Sequence, residues 1–121
     1  MASSPASVRR PFGYARVAIG AAMAVAPGLV GKLWWDREIG PAASAILRGM
    51  GARDAVIGAG TALVGDEASV AWLRAGVVAD LADATAAALA GSSLPTSKRA
   101  VTVAFGAAGA LAGVLIARAA R

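Results

Sequence analysis

The 121-residue chain contains neither cysteine nor histidine. Their absence excludes disulfides, thiol chemistry, iron–sulfur clusters, histidine-ligated haem and zinc sites of the usual kind. It also removes the commonest general base, so any proton chemistry would have to use carboxylates. The remaining residues form no nucleophile–base arrangement or metal-ligand spacing. We therefore predict that the chain is not an enzyme and holds no cofactor or metal.

Charge is scarce as well. Charged residues make up 16% of the chain and apolar residues 58%, against about 25% and about 45–50% in a typical soluble domain. The mean hydropathy is +0.65. A chain of this length has room for one domain. These values predict a single integral membrane domain over residues 1–121.

The net charge is +5, which could suggest a nucleic-acid partner. However, the basic residues are dispersed near the start, between apolar stretches and at the end: Arg9, Arg10, Lys98, Arg99, Arg118 and Arg121. Basic residues flank membrane helices in this way, whereas a nucleic-acid surface gathers them on one face. We predict the lipid bilayer as the partner and no nucleic acid.

Four apolar stretches follow a short tail, residues 1–10, that we expect to be flexible. They cover about residues 12–33, 42–64, 68–90 and 100–117, and each approaches the roughly 20 residues that a membrane helix needs. Pro27 either kinks the first helix or ends it early. The predicted fold is all-α, a four-transmembrane-helix bundle with antiparallel up-down connectivity.

The location predicted from these stretches is the cell membrane, with several crossings. Basic residues slightly favour termini in the cytoplasm, and the small bias leaves dual insertion open. Ala24-Val25-Ala26 resembles a signal-cleavage motif. A retained first helix is the favoured alternative, because the rest of the chain is itself membrane-like.

Ionisable residues lie in or beside the second and third stretches: Arg48, Arg53, Asp54, Arg74, Asp80 and Asp83. An ionisable side chain at membrane depth is costly, so it usually has a partner. A hairpin turning near Asp66 would bring together Arg53 with Asp80, Arg48 with Asp83, and Asp54 with Arg74. We therefore predict an intramembrane charge network between the second and third helices.

Two roles for this network remain open. In the favoured one, a neutralised polar seam fixes the register of the hairpin in a structural or accessory membrane protein. In the alternative, Asp80 or Asp83 takes up a proton in a small dimeric proton-coupled transporter. The first hypothesis expects matched charges, and the second expects some charge left unmatched.

Small residues form a candidate packing face on the fourth stretch. Gly109 and Gly113 make a GxxxG pattern, and Gly106 extends it. Such a face lets helix backbones approach closely. It would pack within the chain's own bundle, the favoured alternative, or form a homodimer or a contact in a larger membrane complex.

The segment Arg48-Gly49-Met50-Gly51-Ala52-Arg53-Asp54 resembles the R-x-x-G-x-R-D element of small four-helix membrane proteins known only as a domain of unknown function. Asp80 is similar to an acidic residue of that family, and the resemblance covers about residues 12–117. It implies an integral membrane location and assigns no activity. In size and helix count the chain also resembles small multidrug-resistance transporters. Those rely on an acidic residue in their first helix, whereas the first stretch here has Arg16 and no acidic residue.

Overall fold

A computed structural model of the chain describes residues 5–121. Over these residues the protein is all-helical, as predicted. The elements in chain order are α1 Pro5–Val25, α2 Pro27–Trp35, α3 Pro41–Leu63, α4 Asp66–Leu89, a 3₁₀ turn Gly91–Ser93 and α5 Thr96–Ala119. Among the described residues, only α5 is by itself long and apolar enough to cross a membrane. The bent pair of α1 and α2 meets the same criteria if the two helices are taken as one span.

The first apolar stretch is not one helix, so the prediction of a helix over residues 12–33 is wrong. α1 ends at Val25, and α2 leaves it at an angle of 110°. Pro27 has no N–H to continue the hydrogen-bond ladder, and its ring forces Ala26 out of the helical conformation. The same ring suits the first turn of the new helix, where Pro27 lies. Of the two alternatives for Pro27, an early end of the first helix is the one observed.

The start of α1 also differs from the prediction. Residues 5–10 are helical, so this part of the predicted tail belongs to α1, and residues 1–4 lie outside the described residues. Arg9 explains the difference, because it is only 1% exposed and holds this end of the helix against the rest of the protein. The other three predicted stretches coincide with α3, α4 and α5, whose ends shift by between one and four residues.

Glycines bring α1 and α3 into backbone contact. Gly13 lies against Gly58, and Gly20 lies against Gly51. A Cβ on Gly58 would lie 2.6 Å from the carbonyl oxygen of Gly13, and one on Gly20 would lie 2.5 Å from that of Gly51. The two glycines of each helix are seven residues apart and therefore share one face. α3 makes far more of its contacts with α1 than with α4, its neighbour in sequence.

The candidate packing face of α5 lies against α4 of the same chain. A Cβ on Gly106 would lie 2.8 Å from the carbonyl oxygen of Asp80, and one on Gly113 would lie 2.8 Å from a methyl carbon of Val77. Gly109 faces the carboxylate of Asp80, 2.7 Å from the position of its missing Cβ. In the monomer this face is therefore occupied, and it brings α5 up to an acidic side chain.

Candidate functional site

Three helices contribute to an ion-pair cluster, which we define as Arg16, Arg53, Asp54, Asp80 and Asp83. Arg16 of α1 forms a forked pair with Asp80 of α4, with Nη1–Oδ2 2.9 Å and Nη2–Oδ1 2.6 Å. Its Nη2 also lies 3.3 Å from Oδ1 of Asp54 on α3. The planar guanidinium group suits this bidentate contact with carboxylate. Arg16 thus joins all three helices at one point.

Arg53 forms the second half of the cluster. Its Nη1 and Nη2 donate to the two carboxylate oxygens of Asp83 at 3.1 and 2.6 Å. Its Nε donates to Oδ1 of Asp54 at 3.0 Å. Asp54 therefore accepts from both arginines and connects the two forked pairs.

The cluster is largely withdrawn from the surface. The side chains of Arg16, Asp54 and Asp80 are 11–13% exposed, whereas those of Arg53 and Asp83 are 33% and 27% exposed. Two guanidinium groups face three carboxylates, which leaves a formal charge of −1. Nε of Arg16 is buried and has no hydrogen-bond partner within residues 5–121.

The structure pairs the charges differently from the predicted hairpin register. Arg53 meets Asp83 instead of Asp80, and Asp80 meets Arg16. The predicted pairs Arg53–Asp80 and Arg48–Asp83 are therefore wrong. The register assumed that α3 and α4 supply each other's partners, but α1 lies against α3 and adds an arginine of its own. Four of the six predicted network residues remain in the cluster.

Arg48 and Arg74 lie outside it. Arg48 is exposed and its Nη1 donates to the carbonyl oxygens of Ala24 and Val25, at 2.5 and 3.5 Å. These carbonyls end α1 and have no partner within the helix, so Arg48 serves as a C-terminal cap. Arg74 forms no ion pair in the described part of the chain, and the predicted pair with Asp54 is also wrong; it lines a surface cleft beside Arg118.

A second buried arginine caps the other end of the same helix pair. Arg9 donates through Nη1 to the carbonyl oxygens of Thr61 and Ala62, in the last turn of α3. Its Nη2 lies 2.9 Å from the carboxylate of Asp66, in the first turn of α4. The sequence predicts Arg9 as one of the basic residues that flank membrane helices. The structure instead buries it at the turn between α3 and α4.

Sequence reasoning missed Arg9 and Arg16 as members of buried networks. Both lie on α1, outside the two stretches whose charges the predicted hairpin register pairs. One signal was present: Gly13 and Gly20 have the same spacing as Gly51 and Gly58. Matching glycine faces predict close packing between the helices that carry them. That packing places Arg16, between the first two glycines, against α3.

Each defined position of the R-x-x-G-x-R-D element has a contact in the structure. Arg48 caps α1, Gly51 allows the close approach of α1, Arg53 pairs with Asp83, and Asp54 bridges the two arginines. The element therefore joins α3 to both α1 and α4. These are structural contacts, and membership of the resembled family stays a prediction.

A cavity of about 310 Å³ lies between the helix bundle and α2. Its lining includes Asp54, Asp80 and Asp83 of the cluster, but neither Arg16 nor Arg53. Aromatic side chains line it as well, Trp34 and Trp35 from α2 and Phe105 from α5. Within residues 5–121, no group of carboxylates converges in a way that would hold a metal ion. The cavity is thus mainly apolar and aromatic, with three aspartates among its lining residues.

Comparisons with protein-family models, with curated proteins and with solved structures gave no match for this chain.

Proposed function

We propose that the chain is a multi-pass integral membrane protein in which α1, α3, α4 and α5 cross the bilayer as a four-helix bundle in antiparallel up-down order. Its role is structural or accessory and not catalytic, acting with a second copy or within a larger membrane complex. The observation that carries this proposal is the inverted distribution of polarity: paired charges lie inside the bundle and large apolar side chains lie outside.

The exterior supports a lipid environment. Each of the five α-helices exposes at least two large apolar side chains, and Val25, Leu33, Leu63 and Leu89 are between 69% and 80% exposed. A soluble protein rarely presents extended apolar surface on all sides. α5 has a mean hydropathy of 2.1 over its most apolar 18 residues, of which only 22% are buried. The apolar helix at the core of a soluble protein would be mostly buried.

The lengths of the other helices support crossing as well. α1, α3 and α4 have 21, 23 and 24 residues, or about 31–36 Å at about 1.5 Å per residue. The hydrocarbon core is about 30 Å thick. α3 and α4 carry charged residues in their central turns, but the cluster pairs Arg53, Asp54, Asp80 and Asp83 within the bundle. Pairing of this kind is how ionisable residues persist at membrane depth.

Contacts at the two ends of the molecule support the up-down order. Arg9, near the start of α1, meets Asp66 in the first turn of α4. Arg37, between α2 and α3, donates to the carbonyl oxygen of Ser93, between α4 and α5, at 3.1 Å. Each contact joins segments that the up-down order places on the same side of the membrane. We place the termini and the α3–α4 turn in the cytoplasm, following the slight excess of basic residues there.

The absence of cysteine permits a direct test of this topology. Single cysteines at Glu38, Glu67 and Ser92, all exposed positions, are treated in intact cells with a membrane-impermeant maleimide. We expect labelling of the Glu38→Cys and Ser92→Cys variants, whereas Glu67→Cys reacts only after permeabilisation. The unsubstituted chain is the matched blank. Recovery of the protein in the soluble fraction, or equal labelling of all three positions in intact cells, would contradict the proposal.

The structural role of the cluster has its own test. Asp80→Asn leaves Arg16 without its closest partner, and breaking a buried ion pair typically costs about 3–5 kcal/mol. We expect poor recovery of folded Asp80→Asn protein in mild detergent. A double variant, Arg16→Gln with Asp80→Asn, removes both charges and should restore much of the yield. A folded Asp80→Asn variant with wild-type stability would refute a structural role.

A second function, a small dimeric proton-coupled transporter, is favoured by one observation. The cluster has one carboxylate more than it has arginines, and Asp83, which is 27% exposed, faces the cavity. A carboxylate with surplus negative charge is a candidate to take up and release a proton. In this case Asp83→Asn would fold but fail to carry protons or substrate across proteoliposome membranes. A folded variant with undiminished transport would exclude Asp83 from that role.

A further inference from the structure

We propose that the cavity between α2 and the helix bundle binds a monovalent organic cation with an aromatic or branched apolar body. The three aspartates of the cluster lie among its lining residues, and its largely apolar wall includes Trp34, Trp35 and Phe105. Its volume of about 310 Å³ is at the lower end of the roughly 300–1,000 Å³ of ligand pockets. The inference rests on the proposed membrane bundle, but binding can be measured apart from topology.

Charge is the first argument. Asp54, Asp80 and Asp83 are among the residues that line the cavity, whereas Arg16 and Arg53 are not. The cavity therefore lies on the acidic side of a cluster whose formal charge is −1. In surroundings of low dielectric, an unmatched charge is costly and one positive charge compensates it. A single cationic centre is the matching occupant.

The aromatic wall is the second argument. A cation over the face of tryptophan or phenylalanine is attracted by the ring quadrupole. The indole N–H of Trp34 donates to the hydroxyl of Thr102 at 3.0 Å, and its ring meets Phe105 edge to face with centroids 5.0 Å apart. These contacts hold Trp34 in place before any ligand binds. The wall therefore needs little reorganisation to receive a cation.

The same features argue against other occupants. A metal ion would need several free oxygen ligands around one point, but the carboxylates of the cluster are already engaged by arginines. An anion would meet the three carboxylates. A neutral apolar molecule would leave the surplus charge unmatched. An organic ammonium group spreads its charge over several atoms, so it needs no direct coordination and can lie against aromatic rings.

The edge of the cavity gives an entry route. Ile19 and Phe105 both line it and are 44% and 53% exposed. In the proposed bundle these side chains face lipid, so the cavity opens towards the membrane interior near α2. An amphiphilic cation dissolved at the membrane surface could enter by this route with its apolar body first.

The test uses benzyltrimethylammonium, whose charge does not depend on pH, and the full chain in a nonionic detergent. Binding is measured by isothermal titration calorimetry with a protein-free micelle blank. Neopentylbenzene, with carbon in place of the quaternary nitrogen, is the uncharged competitor of the same shape. We expect the cation to bind saturably. Neopentylbenzene added to the protein beforehand should compete at least about tenfold less effectively than the cation itself added beforehand at the same concentration. Equal displacement by the two compounds would overturn the proposal.

Two variants separate the net charge from the individual residues. Asp83→Asn makes the cluster neutral and should weaken binding by at least about tenfold. Adding Arg53→Gln restores a formal charge of −1, and binding should return to within about threefold of the original. Binding unaffected by Asp83→Asn, or not regained in a folded double variant, would contradict the charge argument.

A pair of tryptophan substitutions keeps the proposal testable if Asp83→Asn does not fold. Trp34→Leu removes part of the aromatic wall without changing charge, and we expect binding at least about fivefold weaker. Trp72→Leu is the matched control, because Trp72 packs on Gly60 away from the cavity. Equal binding by the two variants would refute the site. Failed binding together with correct cysteine labelling would reject this site and leave the membrane topology standing.

Discussion

The α1–α3 pair and the α3–α4 pair are held together in different ways. α1 and α3 are separated in sequence by α2 and a loop, yet their backbones touch through Gly13 and Gly58 and through Gly20 and Gly51. α3 and α4 are joined by a turn of only two residues, but they meet mainly through side chains. Sequence neighbours are therefore the more loosely packed pair.

The physical reason lies in which helix faces carry glycine. A helix without Cβ atoms on one face lets another backbone approach closely, and many weak contacts then accumulate. Between α3 and α4 the Trp72 ring packs on Gly60, and the forked Arg53–Asp83 pair bridges the gap. Complementary helix surfaces, and not short connections, therefore decide which helices pack most closely.

The largest loss of stability is expected when a side chain fills the glycine contact between α1 and α3. In Gly58→Leu the new side chain would run into the backbone of α1, and this overpacking should lower the free energy of unfolding by about 3 kcal/mol, the upper end of the typical range. Gly49→Leu is the matched control, because no atom lies within 4 Å of the position of its missing Cβ. Retained helical circular dichroism during titration with a denaturing detergent reports the difference. Equal stability of the two variants would mean that α1 and α3 do not pack here.

The two arginine caps of the α1–α3 pair should differ in strength. Arg9 is 1% exposed and joins α1 to both α3 and α4. Arg9→Met should therefore lower the free energy of unfolding by about 2–3 kcal/mol. Arg48 caps α1 from an exposed position, so Arg48→Met should cost less than about 1 kcal/mol. The same detergent titration measures both, and a larger effect at Arg48 would reverse the order that burial predicts.

A double-mutant cycle on Arg53 and Asp83 tests the ion pair that joins α3 and α4. Both side chains are about a third exposed, so we expect a coupling free energy of only about 1 kcal/mol. Arg53→Gln, Asp83→Asn and the double variant complete the cycle with the unsubstituted protein. A cycle between Arg53 and Asp80, the pair predicted from sequence, should give a smaller coupling. A larger coupling to Asp80 would favour the predicted register over the observed one.

Much of the fold could be predicted from hydropathy and helix-breaking residues. Pro41, Gly65 and Pro95 mark the starts of α3, α4 and α5 because proline and glycine act through local backbone geometry. The break at Pro27 is visible in sequence, but its consequence is not. A proline predicts that a helix ends or kinks, whereas the 110° turn of α2 depends on what it packs against, including the contact between Trp34 and Phe105.

The residues of the candidate site could be predicted from the sequence more reliably than the pairs that they form. Arg53, Asp54, Asp80 and Asp83 were identified because charges in apolar stretches need partners. The identity of those partners depends on which helix lies alongside, and α1 supplies Arg16. The resulting surplus of one carboxylate and the aromatic cavity beside it follow from that arrangement.

The sequence by itself determined that the chain is helical, where most of its helices begin and end, and that Arg53, Asp54, Asp80 and Asp83 need partners. These properties depend on local backbone chemistry and on the cost of placing a charge in apolar surroundings. Only the tertiary structure decided that α1 packs on α3, that Arg9 and Arg16 are interior residues, and that three aspartates line one cavity. Those outcomes depend on the fit between helix faces that lie far apart in the chain.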